Sequence, residues 1–283
     1  MISYAQFFVI YSLSIVVAVY LSLRVMVGGL LKLRRPALEF LKNNYLFLLV
    51  LAALPLMVQM LSLLKTHLSD GHAISQSISN GQMLFSLGGG LITDLQNSID
   101  SGIAATYLKF AYMWVFAFFT YFLPVLFVAK QDRSTLVAFT IAMTVNYMVL
   151  ILFYIAFPTA VSSKLPHEGV EPVLYSSAYW GSMAVSVDSL TNCFPSGHVS
   201  LSFTALFIVM FAGLGYRRLA YVLGATAASI VIAVLYLGIH YPLDVVGGLA
   251  LAAGSTAVAR SDSIKASLSR AIRSARTRRL EDA

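Results

Sequence analysis

Two short strings in the second half of the chain combine residue types that can do chemistry on an anion. Residues 192–198 read Asn-Cys-Phe-Pro-Ser-Gly-His, and residues 238–244 read Gly-Ile-His-Tyr-Pro-Leu-Asp. In the first string a proline and a small polar residue stand directly before an apolar stretch, which is typical of the start of a helix. Free N–H groups at a helix start bind anions such as phosphate, so we expect Ser196 and Gly197 to hold one.

Each string also carries a histidine, and the second carries a carboxylate four residues later: His198, His240 and Asp244. An ionised Asp244 against a long apolar stretch is costly without a partner, and His240 is the nearest candidate. A carboxylate that holds one imidazole nitrogen makes the other nitrogen a better nucleophile or base. These residues therefore predict a site at which an imidazole acts as nucleophile or general base.

Each of these features, taken alone, could be purely structural. A histidine at the end of an apolar stretch is most often structural, a Pro-Ser-Gly run is usually a turn into a helix, and Asp244 could simply cap its helix. Two histidines and one aspartate could also hold zinc or iron, although metal sites usually show a tighter local pair of ligands. The combination of all these features favours chemistry on phosphate over both alternatives.

The composition shows what kind of fold must position these strings. Hydrophobic residues make up 59% of the chain and charged residues 11%, whereas soluble domains average about 25% charged residues. Because a chain in lipid must satisfy its backbone hydrogen bonds internally, its apolar stretches are predicted as helices. There are seven such stretches: 5–23, 45–64, 110–129, 135–157, 199–215, 219–239 and 245–259. The predicted fold class is an all-α polytopic membrane protein, a bundle of about seven transmembrane helices.

The spacing of the two strings predicts that they lie at the same face of the membrane. As helices, stretch 199–215 rises about 25 Å and stretch 219–239 about 31 Å. An antiparallel pair of that size returns His240 to the face on which His198 began. Both histidines and Asp244 can therefore meet at one site.

The basic residues are distributed unequally between the two faces. One face collects 16 of the 19 lysines and arginines, in the predicted loops 24–44, 130–134 and 215–218 and in the tail from Arg260. By the positive-inside rule the N-terminus lies outside, the C-terminus is cytoplasmic, and the site faces the non-cytoplasmic side, with the cell membrane as the expected location. Because basic residues follow the first stretch and none precedes it, that stretch is predicted as a retained anchor, not a cleaved signal peptide.

The chain is predicted as one transmembrane domain, residues 1–259, followed by a basic cytoplasmic tail, residues 260–283. Apolar residues recur every four positions from Ile264 to Ile272 among lysines and arginines. This pattern suits an amphipathic helix on the anionic inner leaflet or, nearly as well, a disordered basic segment.

The outer segment 66–106 is interpreted as an ordered cap, with a re-entrant or interfacial helix as the alternative.

The two strings together resemble the phosphatidic acid phosphatase type 2 superfamily of membrane lipid phosphatases and phosphotransferases. The resemblance rests on Phe-Pro-Ser-Gly-His at 194–198 followed by His-Tyr-Pro-Leu-Asp at 240–244, and it covers about residues 105–259. It implies a six-helix-type catalytic core, no metal or other cofactor, and a phosphohistidine intermediate. The partners it implies are a lipid phosphate substrate in the bilayer and a lipid or polyol acceptor, with no nucleic acid.

The resemblance also assigns roles to individual residues. His240 would attack phosphorus, Asp244 would orient it, and His198 would protonate the leaving oxygen. Ser196 and Gly197 would contact the phosphate oxygens. The implied reaction is a double displacement in which water or an alcohol finally takes the phosphoryl group.

The chain departs from the superfamily pattern in its cations. Ala-Val at 233–234 replaces the usual Ser-Arg pair before the second histidine, and the Lys-x6-Arg-Pro motif is missing. The inositol phosphorylceramide synthase-like branch also lacks that pattern and often carries Phe-Pro-Thr-Ala after a span, as at 157–160 here. Lys164 and Lys109 are nearby cations on the predicted outer side, besides Lys65, and we expect the first two to bind the phosphate.

Two functions from different classes are compatible with these observations. The first is an enzyme, a membrane lipid phosphatase or phosphotransferase that acts at the outer face. The second is a non-enzymatic seven-span transporter or receptor, for which Asn146 and Thr144 are the only polar hints within the spans. Transport paths usually show ionisable groups at the membrane midplane, and these spans nearly lack them, so the enzyme is favoured. A metal-dependent membrane hydrolase is the remaining alternative.

Overall fold

The computed structural model describes residues 4–26, 30–68, 71–99, 102–165, 168–187 and 189–262. These residues form helices and loops, with one isolated β-bridge between Thr159 and Asn192. The helices are α1 (Tyr4–Met26), α2 (Leu30–Leu68), α3 (Gly71–Ser86), α4 (Gly90–Ser98), α5 (Ile103–Phe110), α6 (Phe116–Ala129), α7 (Arg133–Ala156), α8 (Ala178–Val187), α9 (Gly197–Phe211), α10 (Arg217–Tyr236) and α11 (Pro242–Arg260). A π-helical turn, Ala111–Val115, joins α5 to α6. The prediction of an all-α membrane protein is confirmed.

Five helical segments are long and apolar enough to cross a membrane: Pro36–Lys65, Ile103–Ala129, Arg133–Ala156, Leu214–Tyr236 and Pro242–Arg260. Two shorter apolar helices, Ser12–Arg24 and Gly197–Phe211, coincide with the first and fifth predicted stretches. A helix therefore occupies each of the seven predicted positions. The helix or disordered segment predicted for the tail lies beyond residue 262, outside the described residues, and the domain boundary at residue 259 stays a prediction.

Helix α2 extends well beyond its predicted apolar stretch. Residues 24–44 are predicted as a connection, but α2 begins at Leu30 and continues through Pro36 and Pro55 to Leu68. The prediction of a loop is wrong there because hydropathy detects only the apolar part of a helix. The leucines, lysines, arginines and alanine of this segment are also good helix formers.

The segment 66–106 contains α3, α4 and the first turn of α5, and α3 packs against the loop that follows α7. The Ala160 N–H donates to the Ser77 carbonyl over 2.9 Å, and Asn80 Nδ2 donates to the Pro158 carbonyl over 2.8 Å. Helix α3 has 16 residues and α4 has 9, so each is shorter than a membrane span. This packing favours the ordered cap over the re-entrant helix.

The helices that carry the two strings form the centre of the bundle. Helix α9 packs against α10 and α11, and α7 packs against α9, α11 and α2. A Cβ placed on Gly248 of α11 would lie 2.8 Å from the carbonyl oxygen of Ser196. The glycine therefore allows the beginning of α9 to approach the backbone of α11 closely.

Polar side chains inside the bundle are hydrogen-bonded within and between helices. Asn146 Nδ2 donates to Thr204 Oγ1 over 2.8 Å, and Ser200 Oγ donates to Asn146 Oδ1 over 2.9 Å. Thr144 Oγ1 donates to the Thr140 carbonyl of its own helix over 2.8 Å. The two polar hints of a transport path thus have partners within the bundle, which weakens the transporter alternative.

Asp132 caps the N-terminus of α7. Its Oδ1 accepts a hydrogen bond from the Thr135 N–H over 3.0 Å, and its Oδ2 accepts from the Thr135 and Tyr216 hydroxyls over 2.7 and 3.0 Å. Burial opposes ionisation, but hydrogen bonds from Thr135, Tyr216 and Ser134 hold the pKa of Asp132 below its ordinary value. The carboxylate therefore stabilises the folded protein in its ionised form.

Replacing Asp132 by alanine is expected to lower the free energy of unfolding by about 1 kcal/mol at neutral pH, because the helix loses its cap. Asp132→Asn keeps an acceptor oxygen and should cost less. Because the folded-state pKa is depressed, the advantage of the carboxylate over asparagine is complete above the unfolded-state pKa of about 3.9. It is lost as the pH falls through the folded-state pKa. Thermal unfolding of wild type and Asp132→Asn, measured in detergent over a range of pH, checks this. A difference in stability between the two proteins that does not change with pH would contradict it.

Candidate active site

The first string forms the start of α9. Ser196 is the N-cap of this helix, and its side-chain oxygen accepts a hydrogen bond from the Val199 N–H over 3.4 Å. Gly197 is the first residue of the helix, and a Cβ there would lie 2.7 Å from the Tyr154 hydroxyl oxygen. The backbone N–H groups of Gly197 and His198 have no hydrogen-bond acceptor among the described residues. Two donors at a helix start are therefore available to an anion.

The second string forms the turn into α11. Asp244 lies in the first turn of this helix, fully buried, and its Oδ2 accepts a hydrogen bond from the Tyr241 N–H over 2.9 Å. The same oxygen lies 3.0 Å from Nδ1 of His240, whose side chain is only 2% exposed. The carboxylate thus caps the helix and holds the imidazole at the same time. Within the described part of the chain, Nε2 of His240 has no hydrogen-bond partner, so one imidazole nitrogen is left for chemistry.

A main-chain hydrogen bond joins the two strings. The Ser196 N–H donates to the Asp244 carbonyl over 3.1 Å, so the start of α9 is held directly against the first turn of α11. His198 follows Ser196 by two residues, and His240 precedes Asp244 by four. The structure therefore places both histidines, the carboxylate and the cap of α9 at the same end of the bundle.

His198 packs against two aromatic side chains. Its ring stacks on Tyr112 with the centroids 4.0 Å apart and the planes at 22°, and its centroid lies 4.4 Å from that of Phe116. Tyr112 belongs to the π-helical turn Ala111–Val115, and Phe116 follows that turn. A π-helical turn shifts the side chains that come after it around the helix, and such turns often occur at functional sites. Neither aromatic residue is predicted from the sequence, because their only signal is an aromatic-rich span.

Cys193 is another residue of the site that is not predicted from the sequence. Its Sγ lies 3.0 Å from Asp244 Oδ2, 3.3 Å from His240 Nδ1 and 3.0 Å from the Ile239 carbonyl oxygen. A thiol has one proton to donate, and an ionised carboxylate is the strongest of these acceptors. Oδ2 of Asp244 then receives three donors, whereas its Oδ1 has no hydrogen-bond partner among the described residues.

Lys65, at the end of α2, is hydrogen-bonded to the loop that carries the first string. Its Nζ donates to Asn192 Oδ1 over 2.7 Å, to the Tyr154 carbonyl over 2.9 Å and to the Thr191 carbonyl over 3.4 Å. Asn192 Nδ2 in turn donates to Ser62 Oγ over 2.9 Å. All three ammonium protons are directed at protein acceptors, so this lysine fixes the position of the loop.

The Phe-Pro-Thr-Ala string at 157–160 is hydrogen-bonded to the second string and to Thr191, the residue directly before the first string. The Thr159 N–H donates to the Thr191 carbonyl over 3.0 Å, and the Tyr241 hydroxyl donates to the Ala160 carbonyl over 2.8 Å. Burial raises the pKa of Tyr241 well above its ordinary value, so the phenol keeps its proton and this hydrogen bond. Residues 157–160 therefore link the segment that leads into the first string with the second string.

The two lysines predicted to bind phosphate lie at the same end of the bundle. Lys164 is exposed and ends the 3₁₀ turn Ser162–Lys164, shortly after the Phe-Pro-Thr-Ala string. Lys109 is half-buried and lies one helical turn before Tyr112, which stacks on His198. Neither ammonium group has a hydrogen-bond partner among the described residues, so both are available to a bound anion.

Cys193, His240 and Asp244 are also residue types that bind metals, and their donor atoms converge. The distances between these atoms are 3.0 to 3.3 Å. Tetrahedral zinc would hold such atoms about 3.3–3.6 Å apart. Oδ2 of Asp244 also accepts the Tyr241 N–H. The geometry therefore fits a hydrogen-bonded cluster better than a set of metal ligands.

The fold and the site define a multi-pass helical membrane protein with a buried histidine–carboxylate pair beside an unpaired helix start. A family model described as the PAP2 superfamily matches residues 89–258, more than half of the chain, and the chain therefore belongs to this superfamily. It is a superfamily of phosphatases, so the chain is an enzyme of the phosphatase type. No curated protein and no solved structure matches the chain. The matched residues leave out α1 and α2, and with them Lys65.

Proposed function

We propose that this enzyme acts on a lipid phosphate or phosphodiester through a phosphohistidine intermediate. The observation that carries the proposal is the 3.0 Å contact between His240 Nδ1 and Asp244 Oδ2, next to the unpaired start of α9. The carboxylate favours the tautomer with a proton on Nδ1, which leaves the Nε2 lone pair for attack on phosphorus. The membrane-spanning helices support a substrate that reaches the site from the bilayer.

In the first half-reaction, His240 Nε2 attacks phosphorus and the bond between phosphorus and the leaving oxygen breaks. His198 donates a proton to that oxygen, so the product leaves as an alcohol. The N–H groups of Gly197 and His198 stabilise the negative charge on the phosphate oxygens. The Ser196 hydroxyl accepts from Val199 and still has its own proton to donate to the phosphate.

In the second half-reaction, His198 takes a proton from the acceptor, and the acceptor oxygen attacks the phosphohistidine. The bond between phosphorus and His240 then breaks, and both histidines return to their starting protonation states. Water as acceptor gives a phosphatase, and a lipid or polyol hydroxyl gives a phosphotransferase. The string at 157–160 and the missing Ser-Arg pair support the inositol phosphorylceramide synthase-like branch, whose members transfer the group to an alcohol.

The distribution of charge supports a site on the non-cytoplasmic face of the cell membrane, with the C-terminus in the cytoplasm. Arg217 and Arg218 begin α10, and the site follows the other end of that helix. A cysteine introduced at exposed His72 should react with an impermeant maleimide in intact cells, and one at Arg218 should not. The reverse pattern of labelling would refute this orientation.

The test of the proposed function uses purified protein in detergent and a mixture of lipid phosphates. We expect phosphate release, or transfer to added diacylglycerol or inositol, without added metal and in excess EDTA. Complete loss with EDTA that zinc or manganese restores would favour the metal-dependent hydrolase. No turnover of any lipid phosphate, together with turnover of soluble phosphates, would refute the lipid assignment.

Neutralising Lys109 or Lys164 with methionine is expected to reduce kcat/KM for a charged lipid phosphate by at least about tenfold, because nearby positive charge stabilises the transferred phosphoryl group. Lys42→Met is the matched control, since Lys42 is exposed and lies about seven helical turns before the end of α2 that is near the site. Steady-state kinetics and thermal unfolding separate catalysis from folding. Full activity of both variants would refute the role of the lysines and would leave the backbone N–H groups as the clamp.

Replacing Cys193 by alanine is expected to lower kcat roughly tenfold with little change in KM. The reason is that Asp244 loses the hydrogen bond from the thiol, and the imidazole of His240 loses its contact with the sulfur. Cys193→Ser keeps a donor at the same place and should retain most of the activity. Steady-state kinetics of both variants check this. Equal losses in the two variants would mean that the size of the side chain matters and its proton does not.

A further inference from the structure

A cavity of about 490 Å³ lies at the end of the bundle opposite the candidate active site. It is formed where α6 ends and where α9 connects to α10. Helix α9 has 15 residues and begins at the active site, so the two sites are separated by about 22 Å of helix. A volume of this size lies within the range of ordinary ligand sites, about 300–1,000 Å³.

The wall of this cavity carries a net positive charge. Lys130, Arg217 and Arg218 line it, and no acidic residue does. The two arginines are exposed and form no ion pair or side-chain hydrogen bond among the described residues. Asp132 is close by, since Tyr216 donates to its Oδ2, and its ionised carboxylate offsets one of these three positive charges. The cavity therefore attracts an anion.

One of these cations is held in place on the wall. Lys130 Nζ donates to the Gly215 carbonyl over 3.4 Å and lies 4.4 Å from the centroid of the Tyr216 ring. A fixed ammonium loses less conformational freedom when it binds an anion than a mobile surface lysine does. This arrangement is more specific than the general excess of basic residues on this face.

Apolar side chains next to the cations indicate what kind of anion fits. Leu214 lines the cavity and is 86% exposed, and Phe211, three residues earlier, is 59% exposed. The Arg260 guanidinium lies 3.6 Å from the Phe211 ring and adds a fourth cation beside them. Exposed apolar groups at the end of a membrane helix contact acyl chains, whereas a free phosphate ion makes no favourable contact with apolar side chains.

We propose that this cavity binds the headgroup of an anionic phospholipid from the leaflet opposite the active site. The phosphate would contact Arg217, Arg218 and Lys130, and the acyl chains would lie along Leu214 and Phe211. Zwitterionic lipids bring a second, positive charge to the same cations and should bind less well. The bound lipid would fix the connection between α9 and α10, the two helices that run from this cavity to the active site.

The experiment measures binding of phosphatidylglycerol and phosphatidylcholine to the full-length protein in detergent by native mass spectrometry. We expect wild type to prefer phosphatidylglycerol, and Arg217→Gln/Arg218→Gln to bind it at least tenfold more weakly. The matched control, Arg24→Gln/Lys42→Gln, removes the same charge from exposed positions outside the cavity and should bind as wild type does. Leu214→Ser should weaken lipid binding without changing the charge.

Equal binding of phosphatidylglycerol by wild type and the double arginine variant would overturn the proposal. Equal binding of phosphatidylglycerol and phosphatidylcholine by wild type would also overturn it, and this comparison needs no variant to fold. Displacement of the lipid by millimolar inorganic phosphate, with no effect of Leu214→Ser, would show a simple anion site and refute the lipid assignment.

Discussion

Replacing His240 by alanine is expected to abolish turnover of lipid phosphates, with kcat at least about 10⁴-fold lower. The reason is that Nε2 of His240 is the proposed nucleophile, and its Nδ1 is already bound to Asp244 over 3.0 Å. Methyl replaces the imidazole in a site that is shielded from solvent, since His240 is only 2% exposed. Cys193, the other nucleophilic side chain in contact with Asp244, has its thiol directed at that carboxylate.

Two further variants separate this chemistry from general damage. His72→Ala removes an exposed histidine from α3 and should keep full activity. His198→Ala should lose turnover of ordinary substrates but still form phosphoenzyme from a substrate with a good leaving group, because that group needs no proton. Steady-state kinetics on purified proteins measure turnover in all three variants, and trapping of labelled phosphoenzyme measures the intermediate in His198→Ala. If His240→Ala kept a tenth of wild-type activity, the nucleophile assignment would be wrong.

Asp244→Asn is expected to reduce kcat on the order of 10³-fold while the protein still folds. Oδ2 of Asp244 faces three groups that can donate: the Tyr241 N–H, the Cys193 thiol and Nδ1 of His240. An amide oxygen at this position puts the NH₂ group at the Oδ1 position, which has no hydrogen-bond partner among the described residues. If the amide is turned the other way, its NH₂ group takes the Oδ2 position and faces three groups that are themselves donors. Either way a buried donor lacks an acceptor, and the charge that selects the His240 tautomer is lost.

Asp94→Asn is the matched control for this substitution, because Asp94 is an exposed aspartate in α4. The predicted loss should appear in kcat with a smaller change in KM, since the carboxylate acts through the nucleophile and is not in contact with the substrate. Thermal unfolding reports whether the variant is folded. A folded Asp244→Asn protein with a loss below about tenfold would contradict the orienting role.

Hydropathy predicts much of this fold because a membrane helix must be apolar along most of its length. The stretch predicted at 135–157 is found as α7, Arg133–Ala156, and the stretch at 245–259 as part of α11, Pro242–Arg260. Hydropathy fails where helices are polar or short. Two examples are α3, Gly71–Ser86, which is stabilised by packing, and the first turns of α2, which are stabilised by helix propensity. Neither depends on contact with lipid.

The centre of the candidate site can also be predicted from the sequence, because its main contacts join residues that are only three or four positions apart. Ser196 caps α9 by accepting a hydrogen bond from Val199, three residues later. Asp244 contacts His240, four residues earlier. Both spacings are those of a helix start, where residues three or four apart meet.

The surrounding contacts could not be predicted in the same way, because they join residues far apart in the chain. Lys65 binds Asn192 across 127 positions, and Tyr112 stacks on His198 from a π-helical turn that no local pattern announces. Cys193 lies inside the first string, but a single cysteine cannot form an intramolecular disulfide, and its sequence position alone does not indicate a role in the site. Its contact with Asp244 depends on how α9 and α11 pack.

The central claim is that His240 carries the phosphoryl group, and trapping the intermediate tests it most directly. Enzyme mixed with radiolabelled lipid phosphate would be quenched rapidly at alkaline pH and digested, and the labelled peptide would be identified by mass spectrometry. We predict label on His240 in wild type, label on His240 in His198→Ala when the labelled substrate has a good leaving group, and no label in His240→Ala. Label on His198 or Cys193, or turnover by wild type without any labelled peptide, would contradict the claim.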